Sequence, residues 1–144
     1  MVRFEDDRTL RRLAVALGVG TTVFSLWPAL APGAFGRRFG LTAPGPDGSA
    51  LVRSIGVRDA VTSIGLCSAA LHSGKYAPWL LARLLVDGGD VVATALALGQ
   101  GGGSPRLGML GLIALGAATV DAALWQAARR VARRERDDLA PLDY

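Results

Sequence analysis

The chain has 144 residues, which suffices for one domain, and 51% of them are hydrophobic, with a mean hydropathy of +0.35. This hydropathy exceeds that of an ordinary globular domain and predicts a membrane protein. The formal net charge is +4, but most arginines lie near the two ends, which is typical of membrane orientation rather than of a nucleic-acid surface. The single cysteine, Cys67, excludes an internal disulfide and a cysteine-based metal cluster.

The first predicted span follows a charged lead. We expect the lead, residues 1–12, on the cytoplasmic side, and the apolar run 13–30 is long enough to cross a bilayer. The alternative is a cleaved signal peptide, because 29–31 resembles a cleavage site, although acidic residues in the lead disfavour it. One face of the span carries small side chains that permit close helix packing in lipid: Ala14, Gly18, Thr22, Ser25 and Ala29.

Three further apolar segments predict spans at 50–71, 76–98 and 107–128. The protein is therefore expected to be a multi-pass protein of the cell membrane. Between the first two spans, the segment 32–49 is rich in glycine and proline. It predicts a loop that contains a short interfacial helix at 35–39.

The connections and the tail determine the predicted topology. A short turn at 72–75 makes the second and third spans antiparallel neighbours, and a flexible glycine-rich connection follows at 100–105. The tail, 129–144, predicts a charged helical extension with a disordered end. The lead, the turn and the tail hold ten arginines and lysines, against three in the other loops, so both termini are expected in the cytoplasm. The predicted fold is all-α, a four-helix transmembrane bundle with 13–128 as its membrane domain.

Charged residues interrupt the third span where hydrocarbon is expected. A lone charge at a helix centre costs about 2.5–3.5 kcal/mol on insertion scales, so these groups need partners or water inside the protein. The pattern predicts a buried polar site. Its members fall within roughly 40° of one another around the helix: Tyr76, Arg83, Asp87, Asp90 and Thr94.

Charges on different spans are predicted to lie at matching depths. With a rise of about 1.5 Å per residue, Arg58 on the second span comes level with Asp90 on the third. Arg83 comes level with Asp121 on the fourth span. Two cross-helix ion pairs are therefore predicted, and Asp87, four residues after Arg83, is within reach of either arginine.

Two more charges on the second span complete the set. Asp59 lies on a neighbouring face from Arg58, so the two are expected to address different partners. Arg53 lies nearer the outer surface, where its side chain can snorkel. Three arginines stand against four aspartates, so one negative charge remains, and Asp87 is the predicted holder of a proton.

These groups predict a pocket for a lipophilic small molecule, surrounded by membrane lipid. Asp–Arg–Asp arrangements can activate water or protonate an epoxide or carbonyl oxygen. The predicted activity is therefore acid–base hydrolysis, cyclisation or isomerisation without a metal or a cofactor. The predicted catalytic residues are Asp87, Asp90, Arg58 and Asp121, and the predicted ligand-binding or orienting residues are Arg83, Asp59, Tyr76, Thr94 and Arg53.

Two other functions fit the same charges. The ion pairs can simply fix the packing of a structural or partner-binding membrane subunit that has no catalytic role. Proton-coupled transport is the third candidate, and because the chain shows no inverted repeat, a carrier is expected to be a homodimer. No metal site is expected, since His72, the one histidine, lies in a turn without accompanying ligands, and no nucleic acid is expected as a partner.

The motif Gly56-x-Arg58-Asp59 on the second span carries a resemblance to a family. With it, the chain resembles an uncharacterised family of small bacterial membrane proteins that have four helices. In that family a first span ends in a Pro…Phe-Gly-Leu stretch, here 32–41, and the third and fourth spans each carry an aspartate. The likeness covers about 13–130 and implies topology, but no activity. Arg83 and the doubled aspartate of the third span depart from the family pattern.

Overall fold

The computed structural model describes residues 7–41, 45–101 and 104–138, and the regular secondary structure in these ranges is entirely helical. The predicted all-α class is therefore confirmed. The acidic residues Glu5 and Asp6 of the lead, and the predicted disordered end of the tail at 139–144, lie outside the described residues. The elements are α1 (Asp7–Leu30), α2 (Pro32–Phe39), α3 (Pro46–Ser68), a π-helical segment (Ala69–Ser73), α4 (Ala77–Gly99) and α5 (Pro105–Asp138).

The predicted four-helix bundle is wrong, because a fifth helix lies in the region expected to be a loop. Helix α2 has Pro32 in its first turn, where the missing backbone N–H is not needed, and it ends at Gly40 with a φ of 73°. Phe35 and Phe39 are 1% and 4% exposed and pack with Val52 of α3. The burial of these rings makes α2 part of the core instead of a short interfacial piece.

The prediction of four membrane spans is not matched by the length and composition of the helices. Within the described ranges, two helices are long and apolar enough to cross a membrane by length and composition, Asp7–Leu30 and Pro105–Arg134. Helix α3 contains four charged residues and α4 contains three, so neither helix has an unbroken apolar stretch of span length.

Several helix bounds extend beyond the predicted ones. Helix α1 begins at Asp7, inside the predicted lead, and α5 continues to Asp138 without a break at the predicted boundary after 128. The second predicted span runs into the π-helical segment, which ends at Gly74 with a φ of 68°. The turn predicted at 72–75 is therefore replaced by a shorter connection, 74–76, between the π-helical segment and α4.

Small residues determine how the helices pack. A Cβ atom added to Gly18 of α1 would lie 2.9 Å from the Ser63 carbonyl oxygen of α3. One added to Gly56 of α3 would lie 2.7 Å from the Ser25 carbonyl oxygen of α1. These backbones approach closely because no side chain separates them, which confirms the predicted small face of α1. Helix α4 packs on α5, where Thr94 contacts Gly111, and polar contacts between α3 and α4 join the two helix pairs.

Candidate functional site

Arg83 of α4 is the centre of a buried polar cluster, with 2% of its surface exposed. Its Nε donates to Asp121 Oδ1 of α5 at 3.1 Å, and its Nη1 donates to Ser63 Oγ of α3 at 2.6 Å. Its Nη2 donates to Asp87 Oδ2, one turn further along α4, at 3.4 Å. One guanidinium therefore connects three helices, and the predicted pair of Arg83 with Asp121 is present.

Asp121 is fully buried, yet only one of its carboxyl oxygens is satisfied. Its Oδ2 has no hydrogen-bond partner among the described residues. Because Arg83 holds both Asp87 and Asp121, the two carboxyl groups are neighbours. A buried polar atom without a partner is costly, and a proton carried by either carboxyl group would provide a donor within this cluster.

Arg58 of α3 forms the second ion-pair group. Its Nη1 and Nη2 donate to the two carboxylate oxygens of Asp90 at 3.1 and 2.7 Å, so the predicted pair is present in a two-pronged geometry. The same guanidinium also binds Asp59 Oδ1, from Nη2 at 2.9 Å. The prediction that Arg58 and Asp59 have different partners is therefore wrong, because the long arginine side chain folds back toward its neighbour.

A cavity of about 410 Å³ opens between the helices beside these groups. Four charged residues line its polar end, and none of the other lining residues is charged. The walls include Phe24 of α1, Phe35 of α2, and Ile113 and Ala117 of α5. The space therefore suits a molecule that is apolar over most of its length and polar at one end. The charged lining residues are Asp59, Arg83, Asp87 and Asp90.

The structure brings some predicted site residues together and separates others. Thr94 is buried and lines the cavity. Tyr76 shares a helix face with Asp87 but lies just before the start of α4, about 16 Å away along the axis. Its hydroxyl donates to Asp7 Oδ1 at 3.0 Å. Arg53 is exposed on α3 and is not among the residues that line the cavity. The structure therefore does not bring Tyr76 and Arg53 together with the residues that line this cavity.

Arg58 and Asp121, predicted as catalytic, contact the cavity residues without lining the cavity themselves. Arg58 orients the carboxylate of Asp90, and Asp121 orients the guanidinium of Arg83, and both of these oriented groups line the cavity. Their geometry therefore suits a positioning role.

Sequence reasoning missed Ser63 and the aromatic walls. Ser63 is fully buried and binds Arg83, and the signal was its position one helical turn after Asp59 on the same face. Phe24 and Phe35, whose ring centroids are 6.0 Å apart, belong to elements distant from the charged spans in sequence. No periodicity within a single helix indicates such a contact.

The charge balance of the cluster is more negative than predicted. With Arg53 outside, two arginines, Arg58 and Arg83, face four aspartates. If all six groups are ionised, two negative charges remain. Protons or a positively charged ligand would neutralise them.

No group of three or more histidine, cysteine, aspartate or glutamate side chains within 7–41, 45–101 and 104–138 is arranged to hold a metal ion. No protein-family model, curated protein or solved structure matches the chain. The resemblance carried by Gly56, Arg58 and Asp59 stays a prediction. The candidate site is therefore argued from its own geometry.

Proposed function

We propose that the chain is a multi-pass protein of the cell membrane that binds a lipophilic small molecule and transforms it by acid–base chemistry. Hydrolysis, cyclisation and isomerisation are the reaction classes that carboxyl groups alone can support. The observation that carries the proposal is the cavity of about 410 Å³, whose walls are largely apolar and whose polar end holds Asp59, Asp87 and Asp90.

The distribution of apolar side chains supports the membrane location. Large apolar residues face outward on all four long helices, while the charged clusters lie between the helices. Soluble proteins rarely expose so many large apolar residues together, whereas a lipid-facing surface requires them. Outward residues on the two charge-bearing helices are Leu51, Val57, Val61 and Ile64 on α3, and Leu85, Val92 and Leu96 on α4.

The cavity volume supports a small-molecule ligand. Ligand pockets in proteins commonly enclose about 300–1,000 Å³, and the observed volume lies in this range. The carboxylates are confined to one end, so the apolar part of the ligand would lie along Phe24, Phe35 and Ile113. This arrangement would place the reacting group of the ligand beside the acids.

Asp87 is the proposed acid–base residue, because it lines the cavity and its carboxylate is held by Arg83. Asp90, anchored by Arg58, is the proposed second carboxylate. Asp121 positions Arg83 from the side away from the cavity. The surplus of negative charge supports a neutral or cationic head on the ligand rather than an anionic one.

The experiment is turnover of the native lipophilic metabolites. The purified full chain in phosphatidylcholine nanodiscs is incubated with a lipid extract of the source cells, and the products are identified by mass spectrometry. We expect a substrate peak to fall and a product to appear, with Asp87→Asn slowing this by about 10²-fold or more. The matched control is Asp47→Asn, an exposed aspartate at the start of α3, which should retain the native rate. Equal rates for the wild type and Asp87→Asn would overturn the assignment.

The second candidate function is a packing role, and the burial of Arg83 favours it. Three of its donors are occupied by protein groups, so this cluster also stabilises the contacts among α3, α4 and α5. Filling the cavity separates the two functions. Ala117→Leu narrows the cavity and should abolish turnover in a folded protein, whereas Ala95→Leu, on the exposed side of α4, should not. If the charges only fix packing, Ala117→Leu and Ala95→Leu should behave alike, and neither should differ from the native protein.

A further inference from the structure

A second cavity, of about 560 Å³, lies at the end of the molecule where α1 begins, α4 begins and the later part of α5 passes. It is far from the carboxylates of the first cavity and shares no lining residue with it. Its charged lining is dominated by cations, Arg11, Lys75, Arg129, Arg133 and Arg136, against one carboxylate, Asp7, among the side chains that the structure describes.

The carboxylate is already occupied within the protein. Asp7 forms an ion pair with Arg11 and accepts a hydrogen bond from the Tyr76 hydroxyl at 3.0 Å. The other four cations of this cavity have no ion-pair partner among the described side chains. The cavity therefore carries a large excess of positive charge that nothing in the described protein neutralises.

The spacing along α5 concentrates that charge on one helix face. Arg129 and Arg133 are four residues apart and Arg136 follows after three more, so the side chains are neighbours whose like charges repel one another. The small residues Ala128 and Ala132 line the same cavity and leave open space beside the arginines. An anion in that space would relieve the repulsion and accept hydrogen bonds from several donors at once.

The surrounding geometry holds two of the arginines at the cavity. The Arg129 guanidinium lies over the Trp125 ring, 4.8 Å from its centroid, and this contact restrains the side chain. At Gly74 a Cβ atom would lie 2.6 Å from Arg11 Nη2, so the glycine allows the Arg11 side chain to approach the backbone there. Specific contacts therefore hold Arg11 and Arg129 at the cavity.

We propose that this cavity binds a phosphate group, carried by an anionic lipid headgroup or by a soluble phosphate compound. The planar guanidinium of arginine binds two oxygens of a phosphate at once, and Lys75 adds a compact charge. An indole ring next to the cavity is typical of the level of lipid headgroups. This proposal does not depend on the acid–base function of the other cavity.

The first arm of the test uses a lipid probe. The full chain is reconstituted in nanodiscs of phosphatidylcholine mixed with phosphatidylglycerol, and native mass spectrometry measures how much phosphatidylglycerol stays bound. The second arm uses inorganic phosphate with nanodiscs of pure phosphatidylcholine, and calorimetry measures its binding. Binding in the first arm alone identifies a lipid headgroup, and binding in the second identifies a soluble phosphate ligand.

The decisive comparison uses two double variants of α5 with the same change in net charge. Arg129→Gln with Arg133→Gln removes two cations from the cavity, whereas Arg130→Gln with Arg134→Gln removes two that do not line it. We expect retention of the probe to become about tenfold weaker in the first variant and to stay native in the second. Lys75→Gln, in the turn, should weaken binding in the same direction and tests the site without altering α5.

Two results would overturn the proposal. One is no binding of either probe to the wild-type protein. The other is an equal loss of binding in the two double variants, which would mean that overall charge rather than this cavity attracts the anion. Circular dichroism of each variant verifies that the helices are intact.

Discussion

Arg58 and Arg83 each hold two aspartates, but their surroundings differ. Arg83 is 2% exposed and its partners Asp87 and Asp121 are buried with it. The Arg58 side chain is 36% exposed and its partner Asp90 is 33% exposed. Removing one partner of a buried ion pair leaves an uncompensated charge, whereas an exposed pair contributes little. The two arginines should therefore contribute unequally to stability.

The corresponding prediction compares Arg83→Met with Arg58→Met. We expect Arg83→Met to lower the free energy of unfolding by about 3–5 kcal/mol, because it strands two carboxylates and the Ser63 hydroxyl. Arg58→Met should cost less than Arg83→Met, because about a third of the Arg58 and Asp90 side chains is exposed. Thermal unfolding in detergent, followed by circular dichroism, measures both. Equal midpoints for the two variants would contradict the assignment of Arg83 as the central polar contact.

At the scale of elements, glycines decide where α1 and α3 meet. Gly56 faces the α1 backbone, and a Cβ atom there would lie 2.6 Å from the Ala29 nitrogen. Backbone atoms cannot rotate away as a side chain can, so the helices would have to separate. That separation would also move Asp59, three residues further along α3, relative to the cavity.

We therefore predict that Gly56→Ala destabilises the protein by about 1–3 kcal/mol, the usual cost of overpacking. The control is Gly116→Ala on the exposed side of α5, where a Cβ would meet nothing within 4 Å. It should be neutral or stabilising by up to about 1 kcal/mol, since alanine favours a helix more than glycine does. Unfolding midpoints in the same detergent measure both changes.

At the scale of the whole molecule, large apolar side chains lie on the outside of the long helices, while Arg83, Asp87 and Asp121 are buried between them. This is the distribution that a lipid environment favours, and water would penalise it. Within the part of the chain that the structure describes, two helices are long and apolar enough to cross a membrane, and α3 and α4 also expose large apolar residues. The buried charges Arg83 and Asp87 lower the hydropathy of α4, while Leu85, Val92 and Leu96 still face outward from it.

A charged residue introduced on an outward face tests whether lipid or water surrounds that face, because its cost differs between the two environments. Val61 is 59% exposed on α3, so Val61→Arg would be nearly neutral in an aqueous protein. In a bilayer we expect a cost of about 2.5–3.5 kcal/mol, and hence a lower yield of folded protein in the membrane fraction. Val61→Leu is the matched control and should give a native yield. Quantitative blotting of fractionated cells measures the yields, and native yield for Val61→Arg would count against lipid at this face.

The two ion pairs were predictable because a helix fixes the height of every residue along its axis. Arg58 and Asp90, or Arg83 and Asp121, had to come level once their helices packed antiparallel. Tyr76 lies apart from this cavity because two residues on the same helix face can still lie at different heights along the helix axis. The role of α2 in the core was not predicted, because its proline and two glycines suggested a loop and obscured the burial of its two phenylalanines.

The sequence by itself determined the all-α class, the polar face of α4 and the partners of its charges. These follow from helical periodicity and from the cost of leaving a charge unpaired in an apolar environment. Only the tertiary structure decided that α2 packs into the core, that Ser63 completes the Arg83 cluster, and where the two cavities lie. A cavity is the space left between several helices packed together, so its position depends on side chains from all of them and on no single stretch of sequence.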